Sequence, residues 1–122
     1  MKNIISMVLA LSLCVPLLAL SAGSVSEAKL GKNIVEREIS EETSTFALND
    51  KAYLWMRVVD GKGETVTVTW SAGEQTYDVP LSIGSDSWRT WSSKILHIAG
   101  EWTVTVKDSA GATLHQSSLT VQ

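Results

Sequence analysis

The sequence predicts an all-β domain, and three observations lead to that fold class. The chain has 122 residues, which is a usual length for one domain. After residue 28, short runs rich in Val, Thr and Trp recur about every 10 residues, separated by turns that contain Gly. No stretch there keeps a helical apolar period over three turns. The pattern is typical of a small antiparallel, immunoglobulin-like β-sandwich of about seven short strands.

Residues 1–28 have the three parts of a secretory signal peptide. Lys2 precedes an apolar run that is shorter than the roughly 20 residues of a membrane span, and small residues follow that run. Ser26 and Ala28 fit the small-residue positions before a cleavage site, so we expect cleavage after Ala28, with cleavage after Ser21 as the alternative. The mature chain is then periplasmic or extracellular and has no membrane span. An uncleaved anchor in the inner membrane is the other interpretation.

Cleavage removes Cys14, the only cysteine, so disulfides and Cys–zinc sites cannot hold the mature chain together. Residues 29–50 form a polar N-terminal segment in which 33–39 is a possible edge strand, and residues 51–122 are the main part of the single domain. Apolar residues make up 44% of the chain and charged residues only 19%, a balance that excludes a disordered tail. Burial of large aromatic side chains, among them five Trp, must therefore build the core.

The predicted core comes from strands in which apolar and polar residues alternate, because one buried sheet face requires that alternation. Its six inward-facing members are Val66, Val68, Trp70, Trp102, Val104 and Val106. The predicted strands are 53–59, 65–70, 75–81, 88–92, 94–98, 101–107 and 113–121.

Two turns share the pattern D-x-x-G, at residues 60–63 and 108–111. We expect the Gly of each in the left-handed conformation that closes a three-residue hairpin loop. The first turn then pairs strand 53–59 with strand 65–70 and sets Val58 against Val66. A further turn at 71–74 sets Val68 against Tyr77 and Val66 against Val79.

The last hairpin needs an irregularity. Leu114 faces Val106 across it, but Leu119 and Val121 are out of phase with Leu114. Because one extra residue reverses the side-chain alternation, a β-bulge near Ser117 and Ser118 would return both residues to the core.

A composite motif lies between residues 88 and 114. Its first half, W-R-T-W-S-x-K, begins at Trp88, and its second half, G-E-W-x-V-x-V-x-D-x-x-G-x-x-L, begins at Gly100. Together they resemble the bacterial family known as domain of unknown function 2914 (DUF2914), over about residues 33–121. The resemblance implies a small β-sandwich, often exported or tethered outside the cytoplasm, and it carries no reaction, cofactor or catalytic residue.

One candidate binding surface is the outward face of strand 53–59, with Tyr53, Trp55 and Arg57. Flat aromatic rings beside the hydroxyl groups of strand 65–70 could stack on a sugar. The alternative is that a second sheet, or the strand at 33–39, covers this face and makes Trp55 part of the core.

The second candidate surface is the run Trp88, Arg89 and Trp91. The two Trp are three residues apart, so a regular strand places them on opposite faces. Trp and Arg concentrate binding energy at interfaces, which favours a groove for a peptide or glycan. The alternative gives one Trp to the core, pairs Arg89 with Asp86 and lets Ser92 hydrogen-bond backbone.

Catalysis and metal binding have little support in the sequence. His97 and His115 are the only histidines, and no G-x-S-x-G nucleophile motif accompanies them. We expect His97 to bond backbone at a strand edge and His115 to lie on the solvent face. The sequence has no H-x-x-x-H or C-x-x-C ligand pair, and the Ca²⁺-loop pattern is absent around Asp60. We expect no catalytic residue, metal or cofactor.

The formal net charge of −3 argues against nucleic acid as a partner. The sequence therefore predicts an exported, non-catalytic binding or accessory module of the cell envelope, with an envelope protein or a glycan as its partner. A carbohydrate-binding module with exposed Trp and Tyr is one alternative. A structural subunit of an envelope complex is the other.

Overall fold

The computed structural model describes residues 23–122, and within that range it is built from nine strands and contains no helix. The all-β prediction is confirmed. No helix in the described range is long and apolar enough to cross a membrane. The strands are β1 (Ser24–Val35), β2 (Glu38–Glu42), β3 (Thr45–Phe46), β4 (Lys51–Val59), β5 (Thr65–Ala72), β6 (Gln75–Ser82), β7 (Ser87–Ile95), β8 (Gly100–Lys107) and β9 (Thr113–Val121).

The strands form two sheets that pack face to face. Sheet A has the order β2-β1-β4-β7, and sheet B has the order β3-β9-β8-β5-β6. All pairs are antiparallel except β3 with β9. Strands β1, β4 and β7 correspond to A, B and E of an immunoglobulin domain, and β9, β8, β5 and β6 correspond to G, F, C and C′. The sandwich is therefore immunoglobulin-like.

The core lies between the sheets, and the predicted alternation of buried side chains is confirmed. All six residues expected to face inward are no more than 2% exposed. Trp70 donates a hydrogen bond from Nε1 to the buried Ser92 Oγ at 2.9 Å, which joins β5 of sheet B to β7 of sheet A. Trp102 donates from Nε1 to the Ile98 carbonyl at 2.8 Å. The indole N–H groups thus remain satisfied in a core without disulfides.

The predicted hairpin between β4 and β5 is wrong. Strand β4 pairs with β1 and β7 in sheet A, whereas β5 pairs with β6 and β8 in sheet B. The loop between them crosses from one sheet to the other. Gly63 in that loop and Gly111 in the β8–β9 turn have φ of 85° and 91°, so the expected conformation of both glycines is confirmed. Val58 and Val66 face the core whether the loop is an arch between the two sheets or a hairpin within one sheet. The alternation of apolar and polar residues therefore does not distinguish the two connections.

The β5–β6 hairpin has the predicted faces in a different register. Val68 lies opposite Val79 instead of Tyr77, and Val66 lies opposite Leu81. The loop is the two-residue turn Gly73–Glu74, with a φ of 60° at Gly73, whereas the prediction assumed a loop of four residues. Shortening the loop by two residues shifts the pairing by two and leaves each side chain on its face.

The predicted β-bulge exists at another position. The ladder between β8 and β9 runs without interruption through Ser117 and Ser118, and the register shifts beside Leu114 instead. The bulge brings Leu119 and Val121 into the core as expected, because it reverses the side-chain alternation of β9 before the chain reaches them.

Two further predicted elements differ. The predicted strand at 88–92 and the first two residues of the predicted strand at 94–98 form the single strand β7, and residues 96–98 lie in the loop after it. The possible edge strand at 33–39 is instead the end of the internal strand β1, the turn after it and the start of the edge strand β2.

Residues 1–22, which carry most of the predicted signal peptide, lie outside the described residues. The predicted cleavage point after Ala28 falls inside β1, where Ala28 pairs with Met56 of β4. Val25 and Ala28 also pack against the core. Cleavage after Ser21 would leave β1 whole.

Candidate functional site

The two candidate surfaces lie side by side in sheet A. The register between β4 and β7 places Trp55 opposite Trp91 and Arg57 opposite Arg89. These side chains alternate with the core residues of β4, so they belong to the outer face of the sheet. We call this surface the cationic–aromatic face. Its members are Lys29, Arg37, Lys51, Tyr53, Trp55, Arg57, Arg89 and Trp91.

The hairpin of β1 and β2 covers the centre of this face. Its turn is Glu36–Arg37, between the paired residues Val35 and Glu38. Trp55 donates a hydrogen bond from Nε1 to the Arg37 carbonyl at 2.9 Å and is only 1% exposed. The alternative in which the N-terminal segment buries Trp55 is therefore the arrangement found.

The turn at Glu36 and Arg37 has a strained backbone. Both residues have positive φ, 54° and 65°, as in a type I′ turn, where Asn-Gly is preferred. Left-handed backbone costs a side-chain-bearing residue roughly 1–2 kcal/mol. Contacts to β7 hold the turn in place: Arg37 donates from Nη2 to the Arg89 carbonyl at 3.3 Å, and Glu38 pairs with the Arg89 guanidinium. The strain is thus concentrated where the hairpin meets the candidate surface.

Trp88 and Trp91 point to opposite faces of β7, as the spacing predicts. Trp88 lies opposite Val58, packs against the core and approaches Gly84 so closely that a Cβ there would be 2.9 Å from its ring. Trp91 lies on the outer face and is half-buried. The guanidinium of Arg37 is 5.8 Å from the ring centres of both Trp88 and Trp91. It therefore reaches around the free edge of β7.

Cationic groups dominate the electrostatics of the face. Arg57 and Arg89 lie directly opposite each other, which destabilises a sheet unless counter-charges compensate. Glu27 pairs with Arg57 at 3.3 Å, and Glu38 pairs with Arg89 at 2.5 Å. Asp86, the partner expected for Arg89, instead accepts a backbone bond from Asp60.

The other cations of the face lie over aromatic rings. Lys29 is 5.6 Å from the Trp55 ring, and Lys51 is 5.5 Å from the Tyr53 ring. In the part of the chain that the structure describes, no carboxylate pairs with Arg37, Lys29 or Lys51. The face therefore presents cations supported by π-systems on a chain whose net charge is negative.

The histidines lie apart from this face. His97 shares a hydrogen bond of 3.1 Å with the Tyr77 hydroxyl, and its Nδ1 lies 3.4 Å from the Ile95 carbonyl. His115 was expected on the solvent face, but it is half-buried opposite Val106, and its Nε2 is 2.6 Å from the Ser117 Oγ. Burial lowers the pKa of the His115 imidazole. Within residues 23–122, no cluster of three or more metal-ligating side chains is present.

The sequence did not single out three members of the face, Lys29, Arg37 and Lys51, and of these Arg37 lies in the turn that covers its centre. The Glu-Arg pair lacks the Asn or Gly that normally indicates a two-residue hairpin. The usable signal was the spacing of apolar residues: Ile34 and Val35 precede the pair, and Ile39 follows it closely.

The strand order, the sheet-to-sheet crossings and the buried Trp70 on β5 define an immunoglobulin-like β-sandwich domain. Residues 63–121 match the model of the family described as "Protein of unknown function (DUF2914)", so the resemblance inferred from the motifs is confirmed over that range. The curated proteins searched contain no match.

Among solved structures, the chain is similar to an alkylpurine DNA glycosylase, AlkC, of Pseudomonas fluorescens, bound to DNA containing an abasic site analogue. The TM-score is 0.57 at 9% sequence identity, over 85% of this chain and 31% of the glycosylase chain. At that identity the likeness concerns the fold alone.

Proposed function

We propose that the chain is an exported, non-catalytic binding module of the cell envelope that contacts an acidic segment of an envelope protein through its cationic–aromatic face. The observation that carries the proposal is the convergence of the 53–57 and 88–91 runs, which are distant in sequence, on one face. The signal-peptide pattern of residues 1–28 supports export.

The chemistry of the face favours an anionic partner. Arg37 is exposed and has two indole rings beside it, and Arg89 already holds the carboxylate of Glu38. An incoming carboxylate could pair with the Arg37 guanidinium as Glu38 pairs with that of Arg89. The planar guanidinium group suits such bidentate pairing. Trp91 then supplies apolar contact next to the ion pairs, a combination that is frequent at binding hot spots.

The geometry favours a protein partner over a glycan. A sugar platform needs exposed, coplanar rings, but Trp55 is 1% exposed, and Trp88 and Trp91 point to opposite faces of β7. A structural subunit would instead use apolar contact without cations. The carbohydrate-binding module and the structural subunit remain the two alternatives that experiment must separate from the proposal.

Site-specific photo-crosslinking in cells tests the proposal. A photoreactive phenylalanine derivative replaces Trp91 in the full chain, and the matched control replaces Thr105, an outward residue of β8 in sheet B. We expect a specific protein adduct at position 91 that weakens on Arg89→Ala and at raised salt. Lys107→Ala, which removes an exposed cation of β8, should leave the adduct unchanged.

Three outcomes would contradict the proposal. Equal adducts at positions 91 and 105 would mean non-specific contact. If neither Arg89→Ala nor raised salt changed the amount of adduct at position 91, the result would favour the structural subunit. Quenching of Trp fluorescence by a neutral glycan panel, removed by Trp91→Ala, would favour the carbohydrate-binding module.

A further inference from the structure

A second surface lies on the opposite edge of the sandwich, and it is independent of the proposed function. We propose that the open edge of β9, together with the cavity beside it, binds an extended polypeptide segment by strand addition. The occupant is a segment of another protein, with small side chains on the side that faces the cavity.

Among residues 23–122, no strand pairs with the outer edge of β9 over most of its length. Strand β3 pairs only with its last two residues, Thr120 and Val121. The N–H of Thr120 bonds the Ser44 carbonyl at 2.9 Å, so it points away from β8. Because backbone direction alternates along a strand, Gln116 and Ser118 also direct their N–H and C=O groups to the open side.

The other edge strands carry features that discourage strand addition. Pro80 interrupts the edge of β6, and Arg37 occupies the Arg89 carbonyl on the edge of β7. Strand β2 is only five residues long, and three of them are Glu. In contrast, β9 contains no Pro and no Asp, Glu, Lys or Arg. His115 is its one side chain that can acquire a charge. An edge of this kind is a template for another strand.

A cavity of about 480 Å³ adjoins this open edge. Ala28 and Leu30 of β1 contribute its apolar lining, and Ser44, Ser117 and Ser118 contribute hydroxyl groups. Lys29, Glu42 and Thr43 complete the lining. A strand added to β9 would direct every second side chain into this space. Small apolar or hydroxyl side chains fit such a lining, and main-chain hydrogen bonds would supply much of the affinity.

A second copy of the chain fits this edge less well than a separate segment. Edge-to-edge pairing of two β9 strands is limited by β3, which occupies the end of the edge. In such a pair the β3 strands of both copies would restrict the overlap, whereas a separate segment meets only one of them. An extended segment can pair with β9 and fill the cavity together.

A phage-displayed library of seven-residue peptides, panned against the full chain, tests the proposal. We expect enriched peptides with small residues at alternate positions. Ser118→Pro removes one outward N–H without touching the ladder to β8, and it should weaken the selected peptides about tenfold or more. Ser44→Trp, which fills the cavity but keeps every backbone group of β9, should weaken them similarly. Thr105→Ala is the control that changes nothing.

Thermal unfolding of each variant establishes that it is folded. Absence of enriched peptides would overturn the proposal, as would peptides that bind the Ser44→Trp and wild-type chains equally. A wild-type dimer that Ser118→Pro converts to a monomer would assign the edge to a second copy instead. None of these outcomes affects crosslinking at position 91, so the two proposals fail separately.

Discussion

The outer faces of the two sheets differ in both composition and burial. Sheet B exposes a threonine surface, in which Thr69 of β5 bonds Asp78 and Thr120 of β9 bonds Glu101, both at 2.7 Å. Sheet A exposes aromatic and cationic side chains and folds its own N-terminal hairpin over Trp55. An ordinary β-sandwich needs only the first kind of outer face, since its core lies between the sheets. The second kind adds a small apolar layer outside the sandwich, and a binding role would explain it.

The largest effect should come from that outer layer. Trp55→Ala is expected to lower the free energy of unfolding by about 3–5 kcal/mol, as a core truncation would, because the indole is fully enclosed and bonds Arg37. Thr69→Ala on the other sheet should cost no more than about 1 kcal/mol, the usual range for one exposed hydrogen bond. Denaturant unfolding of both variants, with Trp102→Ala as the core reference, measures the contrast. Equal, small losses for Trp55 and Thr69 would remove the distinction between the faces.

The start of β1 should matter nearly as much, and it belongs to sheet A alone. A chain beginning at Lys29 loses Val25 and Ala28 from the core margin, and it should be less stable by about 2–3 kcal/mol than one beginning at Ala22. On the proposal that the chain is exported and cleaved, we therefore expect N-terminal sequencing to find the start of the mature chain upstream of Ser24. A native start at Lys29, with undiminished stability, would mean that the first half of β1 is dispensable.

The link between the sheets comes next. Ser92→Ala leaves the Trp70 N–H buried without its partner, which should cost about 1–3 kcal/mol. Ser92→Thr is the control, because it keeps the hydroxyl. Chemical denaturation measures both variants. A loss from Ser92→Thr as large as that from Ser92→Ala would point to the space around Ser92 instead of the hydrogen bond.

The strained turn predicts a gain in stability. Asn tolerates left-handed backbone better than Glu does, so Glu36→Asn should stabilise the chain by about 0.5–1 kcal/mol. The same change at Glu74, whose φ is not positive, should give no such gain. Unchanged or reduced thermal stability of Glu36→Asn would show that the turn is not a source of strain.

The difference between the faces also explains what the sequence could and could not predict. Alternation identified the inner residues of sheet B, because Val66, Val68 and Trp70 alternate with threonines. In β4 the alternation of apolar and polar residues is less clear, because Tyr53 and Trp55 are apolar residues on the outer face. An outer face that carries its own apolar layer has the same composition as a face turned to the core. Strand partners were harder to predict, because the same side chains of a strand face the core in a hairpin and in an arch between sheets.

The candidate site was partly predictable for the same reason. Its two aromatic runs stand out by composition alone, and their cross-strand pairing follows once β4 and β7 are neighbours. Arg37 could not be found in this way, because its role depends on a turn that folds back over the sheet. Local sequence specifies such a turn only when it uses Asn or Gly.

The smallest expected effect is a pH dependence at the margin of sheet B. Burial lowers the pKa of His115 below its usual value of about 6.5, so the folded chain binds this proton less readily than the unfolded chain does. Stability from the neutral imidazole is therefore present above pH 6.5 and decreases as the pH falls through the folded-state pKa. His115→Gln should flatten the decline in thermal midpoint between pH 7.5 and pH 5. Parallel pH profiles for wild type and the His115 variant would mean that the imidazole is as well solvated in the folded chain as in the unfolded one.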